Sequence, residues 1–242
     1  SADDDTAIAF SDTGKRFGDQ WIVEHLDMDV THGAIFGLIG PSGCGKTTTV
    51  RLANGAYRPD AGDVRLTGRA PSELRARERA SIGYLPQQPA LFEHLSLREN
   101  LNFHASLSGV RFRRRQRLSE VLELVELGED AGKLVRESSG GMRRRLALAA
   151  ALVHRPAVLL LDEPTAGIDP ILRRRFWEHF RALAERGHTI VVTTQYVGEA
   201  AYCYRVGVLA EGRLVAVDSP EGLRRQAYGG ELLDVIFTRP VS

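Results

Sequence analysis

Residues 40–48 read Gly-Pro-Ser-Gly-Cys-Gly-Lys-Thr-Thr, with four residues between Gly40 and Gly45 and a lysine and a threonine directly after. This spacing is the P-loop pattern. Such a loop binds phosphate because its backbone N–H groups and a helix N-terminus face the anion, and glycine lets the backbone come close. In this pattern the Lys46 ammonium contacts the β- and γ-phosphates, and the Thr47 hydroxyl binds Mg²⁺. The predicted phosphate site consists of Gly40, Pro41, Ser42, Gly43, Cys44, Gly45, Lys46, Thr47 and Thr48.

The elements on either side of this loop favour a functional interpretation over a chance glycine-rich turn. The apolar run Ala34–Ile39 precedes the loop and predicts a buried strand, and Thr49–Ala53 can continue as a helix. Strand, glycine-rich turn and helix is the context that the motif requires.

A second group of residues could complete a nucleotide site. The apolar run Val158–Leu161 predicts a strand that ends at Asp162 and Glu163. A carboxylate at this point can serve the Mg²⁺ of a P-loop ATPase, and the adjacent Glu163 is placed to polarise an attacking water. The alternative is a strand that happens to end in acidic residues, but their order after a P-loop favours the functional interpretation.

A third motif, Ser138-Ser139-Gly140-Gly141, opens a helix that runs through Arg145–His154. A Ser-Gly-Gly turn at a helix start is another anion-binding end, although Ser139 could simply cap the helix. One P-loop does not need a second such end, so we expect this turn to serve a different nucleotide.

The remaining pattern predicts an α/β protein. Strands are predicted at Gln20–Val30, Asp63–Thr67, Ile82–Leu85, Thr189–Thr194, in a hairpin over Val206–Val217 and at Glu231–Thr238. Helical spacing predicts a helix through Leu118–Val125 that ends at Gly128, and further helices over Pro170–Arg186 and from Pro220. We expect an ATP-binding core over 1–88 and 155–226, an inserted helical subdomain over 89–154, and a tail over 227–242.

Composition narrows the classes of partner. The 32 Lys and Arg residues nearly balance the 31 Asp and Glu residues, so no nucleic acid is expected as a partner. The arginine run at 111–117 is interpreted as a solvated helix start beside acidic residues. The apolar stretches fall short of the roughly 20 residues that cross a bilayer, and two cysteines do not suggest a disulfide framework.

Together, and in this order from Phe17 to about Leu223, the motifs resemble the ATP-binding subunit of an ABC transporter. The resemblance implies a RecA-like P-loop NTPase core whose mostly parallel sheet is flanked by helices, an N-terminal antiparallel β subdomain and an inserted helical subdomain. It implies ATP and Mg²⁺ as ligands. It also implies that two ATPase domains, identical or paralogous, pair head to tail. Each ATP then lies between one P-loop and the partner's Ser139-Gly140-Gly141 turn.

The resemblance also assigns roles outside the P-loop. Phe17 would stack on adenine, Gln87 would touch Mg²⁺ or the attacking water with Gln88 as the fallback, and Asp169 would cross the dimer interface. Each residue has a simpler alternative, namely a core or strand-edge phenylalanine, a polar turn and an Asp–Pro helix cap. The implied metal ligands are Thr47, Gln87 and Asp162.

Three positions depart from the family pattern. Gln195 stands where the family has its switch histidine, Met142 replaces a glutamine, and Ser138 replaces a leucine. Glutamine offers an amide donor for the γ-phosphate but cannot titrate near neutral pH. We therefore expect hydrolysis that works but is slower, with Lys46, Gln87, Glu163 and Gln195 as the catalytic residues.

The run Gly-Gly-Met-Arg-Arg-Arg-Leu, together with Thr194-Gln195-Tyr196 and Glu199-Ala200, resembles the bacterial drug and lipid exporter (ABC-2) branch. The resemblance implies an ATPase at the cytoplasmic face of the membrane that powers export through a separate transmembrane permease. The alternatives are a soluble ABC-type ATP-driven switch and a nucleotide-binding regulator with low turnover.

Overall fold

The computed structural model describes residues 5–228, and a six-stranded sheet lies at its centre in the order β5-β6-β7-β3-β8-β9. Neighbouring strands are parallel except for β8 and β9, which form an antiparallel hairpin. The strands are β3 (Ile35–Ile39), β5 (Ile82–Leu85), β6 (Val158–Asp162), β7 (Thr189–Thr194), β8 (Arg205–Ala210) and β9 (Arg213–Asp218).

The N-terminal part of the chain forms a separate antiparallel sheet of three strands in the order β2-β1-β4. Its strands are β1 (Thr6–Phe17), β2 (Gln20–Thr31) and β4 (Ala61–Leu66). The pairing of β1 is irregular on both sides between Phe10 and Lys15, where Asp12 has a φ of 43°. This irregularity is a bulge, which bends the strand.

Within residues 5–228, seven α-helices surround the sheets. They are α1 (Lys46–Ala53), α2 (Ala76–Arg79), α3 (Leu97–Leu107), α4 (Arg114–Leu124), α5 (Gly140–Leu152), α6 (Pro170–Ala184) and α7 (Pro220–Tyr228). Helices α3, α4 and α5 lie in sequence between β5 and β6, so a helical insertion interrupts the strands of the parallel sheet. No helix among residues 5–228 is both long enough and apolar enough to span a bilayer.

The two faces of the central sheet pack against different partners because side chains alternate along a strand. From β6, Leu159 and Leu161 join the helices of the insertion and α6 in one apolar cluster. Val158 and Leu160 face the other way and pack with the antiparallel sheet and α1. The sheet is therefore covered on both faces, and its loops meet at the carboxyl ends of the strands.

This architecture confirms the predicted fold class. Helix α4 ends at Leu124 rather than at Gly128, because Glu126 has a φ of 53° and turns the chain out of the helix. Arg117 is less solvated than expected, since its guanidinium donates to the carbonyls of Leu152 and Val153. The predicted strand at 231–238 lies outside the described residues, and the division into subdomains remains a prediction.

Candidate functional site

The P-loop connects β3 to α1 at the carboxyl edge of the central sheet. Gly45 caps α1 with a φ of 108°, in the region that glycine adopts most easily. A Cβ atom on Gly40 would lie 2.2 Å from the Leu209 carbonyl oxygen, and one on Gly45 would lie 2.8 Å from the Ile22 carbonyl oxygen. The loop can therefore reach this position only with glycine at both places.

Lys46 folds back over the loop that precedes it. Its side chain is 5% exposed, and Nζ donates to the carbonyl oxygens of Gly40 at 2.7 Å and Pro41 at 2.9 Å. An ammonium has three donors, so one remains for a phosphate oxygen. The same Nζ lies 3.9 Å from Oε1 of Glu163, which brings the end of β6 to the P-loop.

The two acidic residues at the end of β6 are held by Thr193 of β7. Thr193 Oγ1 donates to Asp162 Oδ1 at 2.5 Å and accepts from the Glu163 backbone N–H at 3.0 Å. Glu163 has a φ of 51°, which turns the chain away from the strand as β6 ends. Thr193 was not predicted from the sequence. It lies in a strand that pairs with β6, where Asp162 and Thr193 share a register position. This pairing is the signal that could have identified it.

Part of the P-loop and Glu163 border one cavity of about 270 Å³, whose lining does not include Gly40, Pro41, Cys44 or Asp162. It is lined by Ile22, Ser42, Gly43, Gly45, Lys46, Thr47, Thr48, Gln87 and Glu163. The structure thus brings together most of the predicted P-loop site with two residues from the loops after β5 and β6. The fallback residue Gln88 lines a neighbouring cleft of about 420 Å³, which Gln87 also borders.

The residues predicted to bind Mg²⁺ lie at and next to this cavity. Asp162 is fully buried, and its Oδ2 atom has no hydrogen-bond partner among the described residues. Between residues 5 and 228, no three His, Cys, Asp or Glu side chains form a group that could hold a metal. Mg²⁺ usually binds proteins through one or two carboxylates plus substrate phosphates. The residue after Asp162, Glu163, lines the cavity together with Thr47 and Gln87, so one free carboxylate oxygen at the end of β6 fits Mg²⁺.

Gln195 follows β7 and is exposed on the P-loop side of the sheet. Its Oε1 accepts a hydrogen bond from Ser42 Oγ at 3.2 Å. Because this contact uses the amide oxygen, the amide NH₂ is available to donate to another group. Gln195, one of the three positions that depart from the family pattern, is thus hydrogen-bonded to the P-loop.

Phe17 lies at the end of β1 and outside this cavity. Its ring is 47% exposed and contacts Tyr57 edge to face, with 5.2 Å between the ring centroids. It is therefore a strand-edge aromatic residue and not a core residue. Lys15 Nζ lies over its ring, 5.6 Å from the centroid.

The Ser-Gly-Gly turn does not line the cavity of its own P-loop. Ser139 is the N-cap of α5, since its Oγ accepts from the Met142 backbone N–H at 3.2 Å. Ser139 and Gly140 are both exposed. Asp169 likewise caps α6 by accepting from the N–H groups of Ile171 and Leu172. Ser139 and Asp169 therefore both act as helix caps. This capping does not prevent either residue from contacting a second subunit.

Sequence analysis also missed Arg144, one turn into α5. Its guanidinium donates to backbone carbonyls on both sides of the site, including Gln87 at 2.8 Å and Glu163 at 2.7 Å. Burial lowers the pKa of this guanidinium, and the nearby Asp162 and Glu163 charges oppose that shift. The signal in the sequence was the middle one of three consecutive arginines, near the start of a helix that is apolar from Leu146 to Leu152.

The sequence of this chain is similar to those of known proteins. A family model described as "ABC transporter" matches residues 23–166. The chain is 41% identical, over 98% of its length and 79% of the relative, to the Nod factor export ATP-binding protein I of Paraburkholderia xenovorans (strain LB400). It is 37% identical, over 95% of its length, to the probable multidrug ABC transporter ATP-binding protein YbhF of Escherichia coli (strain K12). The chain spans only 40% of that second relative.

The fold also matches solved structures. One is the dimeric structure of a bacterial ABC transporter cassette, with a TM-score of 0.81 and 25% sequence identity. The match covers 88% of this chain and 98% of the cassette.

Proposed function

The chain belongs to the ABC transporter family, and on that basis we propose that it hydrolyses ATP to power export through a separate permease. Two similar proteins support this proposal, since one is named for Nod factor export and the other as a probable multidrug ABC transporter ATP-binding protein. The finer assignment to the drug and lipid exporter (ABC-2) branch rests on these names and on the resemblance of residues 140–146 and 194–200.

One observation carries the ATPase proposal. The P-loop lysine and the glutamate after β6 lie on one cavity wall, with 3.9 Å between Lys46 Nζ and Glu163 Oε1. A cation for the phosphates and a carboxylate for the water therefore face the same space. This is the pair that a phosphoryl transfer to water requires.

In the proposed reaction the P-loop amides and Lys46 bind the β- and γ-phosphates and neutralise their charge. Glu163 orients a water in line with the γ-phosphate and accepts its proton. Gln195 donates its amide N–H to the γ-phosphate. Mg²⁺, held by Thr47, Asp162 and Gln87, would add positive charge at the phosphates. The contribution of the protein is mainly positioning and electrostatics.

The site needs a second subunit in this proposal. The exposed Ser139-Gly140-Gly141 turn would close over the nucleotide in a partner's P-loop, and Asp169 would lie at the same interface. A similar solved cassette is dimeric, which supports this arrangement. The pair would act at the cytoplasmic face of the membrane, where a permease chain supplies the membrane span.

Glu163→Gln tests the ATPase proposal. The amide keeps the shape of the side chain but cannot accept a proton, so we expect turnover to fall by about 10²–10⁴-fold. ATP binding should persist, and the dimer should accumulate in the presence of ATP, as measured by light scattering. Glu178→Gln, in an exposed glutamate of α6, is the matched control and should keep the parent turnover. Parent-like turnover in Glu163→Gln would remove Glu163 from catalysis, and a parent without Mg-ATP turnover would favour the regulator instead.

A further inference from the structure

Three consecutive arginines on α5 attach this helix to three different parts of the molecule. Arg143 donates to the carbonyls of residues 135 and 136, at 3.2 and 3.3 Å. Arg145 donates to the carbonyls of residues 125 and 126, at 3.0 and 2.9 Å. Both of these arginines bind only within the helical insertion. Arg144 points elsewhere.

Arg144 reaches the nucleotide site of its own chain. It is 8% exposed, and Nη1 donates to the carbonyl oxygens of Pro86 at 2.7 Å and Gln87 at 2.8 Å. Nη2 donates to the carbonyl oxygens of Asp162 and, at 2.7 Å, Glu163. One planar guanidinium therefore joins the loop after β5 to the loop after β6, and it fixes the backbone of two proposed catalytic residues.

The other end of the connection is the start of the same helix. Ser139, Gly140 and Gly141 lie three to five residues before Arg144, which is about 5–8 Å along an α-helix. A single rigid turn therefore separates the surface that would meet the partner's nucleotide from the groups that would act on this chain's nucleotide.

We propose that Arg144 is a positioning residue that ties Gln87 and Glu163 to the Ser139-Gly140-Gly141 turn. This proposal rests on the proposed ATPase function. When the turn closes over the nucleotide of the partner, movement of α5 carries the four bound carbonyls with it, so closure at one site sets the catalytic geometry at the other. Arg144 itself touches no phosphate, because both of its terminal nitrogens donate to the backbone and its buried Nε has no hydrogen-bond partner among the described residues. It should therefore affect turnover and leave nucleotide binding to the P-loop intact.

The chemistry of the side chain makes the role specific to arginine. Four carbonyls in two loops match the planar fork of a guanidinium, which carries five N–H donors. Lysine keeps the charge but has three donors on a single atom, so it can hold only part of this set. Methionine keeps the length and apolar stem and holds none of it.

The experiment compares Arg144→Met and Arg144→Lys with Arg145→Met in the full chain. Arg145→Met is the matched control, because it removes two carbonyl contacts from the same helix without touching the site. The readouts are Mg-ATP turnover, the dissociation constant of a fluorescent ATP analogue and the melting temperature. A misplacement of about 1 Å can lower a rate by about 10²-fold. We expect Arg144→Met to lose roughly that much turnover while its dissociation constant stays within about twofold of the parent.

Arg144→Lys should recover part of the lost turnover, and Arg145→Met should keep the parent turnover even if it melts earlier. The proposal is wrong if Arg144→Met turns over like the parent. It is also wrong if turnover, nucleotide affinity and melting temperature fall together, as for a purely structural arginine. If Arg144→Met does not fold, Arg144→Lys decides by the same criteria. A failure of the ATPase proposal is recognised separately, since the parent itself would then show no turnover or Glu163→Gln would retain it.

Discussion

Helices α1 and α5 both begin at glycine-containing turns, yet the two turns relate to the rest of the chain in opposite ways. At the P-loop, Gly40 and Gly45 are packed against backbone carbonyls, with no room for a Cβ atom. At the start of α5, a Cβ on Gly140 would meet nothing within 4 Å, and one on Gly141 would meet its nearest atom at 3.9 Å. Neither of these two glycines has a positive φ.

The difference shows what each pair of glycines is for. The fold of this chain requires glycine at positions 40 and 45, because any side chain there would collide with the protein. The fold does not require Gly140 or Gly141, and glycine at the start of a helix forgoes the better helix propensity of alanine. The proposed approach of a group from outside the chain to this backbone would account for them. This contrast supports the proposed contact with a nucleotide on a second subunit.

Gly45→Ala should show the largest effect on the P-loop side of this comparison. Alanine at a φ of 108° is strained, and its Cβ would press on the Ile22 carbonyl oxygen. We expect the free energy of unfolding to fall by about 1–3 kcal/mol or more, with loss of ATP binding. Denaturant unfolding measures this change. Gly68→Ala is the control, because Gly68 also has a positive φ but has nothing within 4 Å. Equal losses in both variants would mean that close packing does not restrict Gly45.

Gly140→Ala should behave in the opposite way. The free energy of unfolding should be unchanged or up to about 1 kcal/mol higher, because alanine is the better helix former. Turnover should fall by about 10²-fold, because a methyl group would displace the turn from the nucleotide of the partner. Denaturant unfolding and steady-state ATP turnover on the same sample give both values. A variant that is both stable and fully active would contradict the idea that an outside group approaches this backbone.

The same contrast explains how much the sequence could predict. The P-loop and the Asp162-Glu163 pair are continuous segments whose function follows from local spacing, so the sequence placed them correctly at the edge of the sheet. Thr193 acts through contacts with residues 30 and 31 positions away, and Arg144 bonds residues 18 and 19 positions further along the chain, so no local pattern encodes these contacts.

Strand β1 and helix α3 were missed for other reasons. The bulge at Asp12 in β1 interrupts the alternation that would have predicted a single long strand. Helix α3 carries a capping box, in which Ser96 and Glu99 bond each other's backbone N–H groups. The capping box is visible in the sequence. The sequence analysis predicted only a general helical region there and did not place the start of α3.

Gln195→Ala tests the point where the P-loop meets the loop after β7. The substitution removes the contact with Ser42 and the proposed donor to the γ-phosphate. Gln195 is exposed, so this hydrogen bond competes with water and should contribute about 1–1.5 kcal/mol, or roughly tenfold in turnover. Ser42→Ala, which removes only the contact between the two loops, should have the smaller effect. If Gln195→Ala is as active as the parent, Gln195 has no role in hydrolysis.

Phe17→Ala should have the smallest effect, since Phe17 is in the site only through its proposed contact with the base. Aromatic stacking contributes about 0.5–1.5 kcal/mol, so the dissociation constant for ATP should rise by roughly two- to tenfold. Phe17→Tyr keeps a stacking ring and should bind ATP like the parent. Phe112→Ala, in an aromatic residue that is 83% exposed, controls for loss of a surface ring and should leave the dissociation constant unchanged. Turnover at saturating ATP should stay the same in all three variants, because adenine lies away from the transferred phosphate. A fall in turnover with unchanged affinity would instead connect Phe17 to the phosphate end of the site.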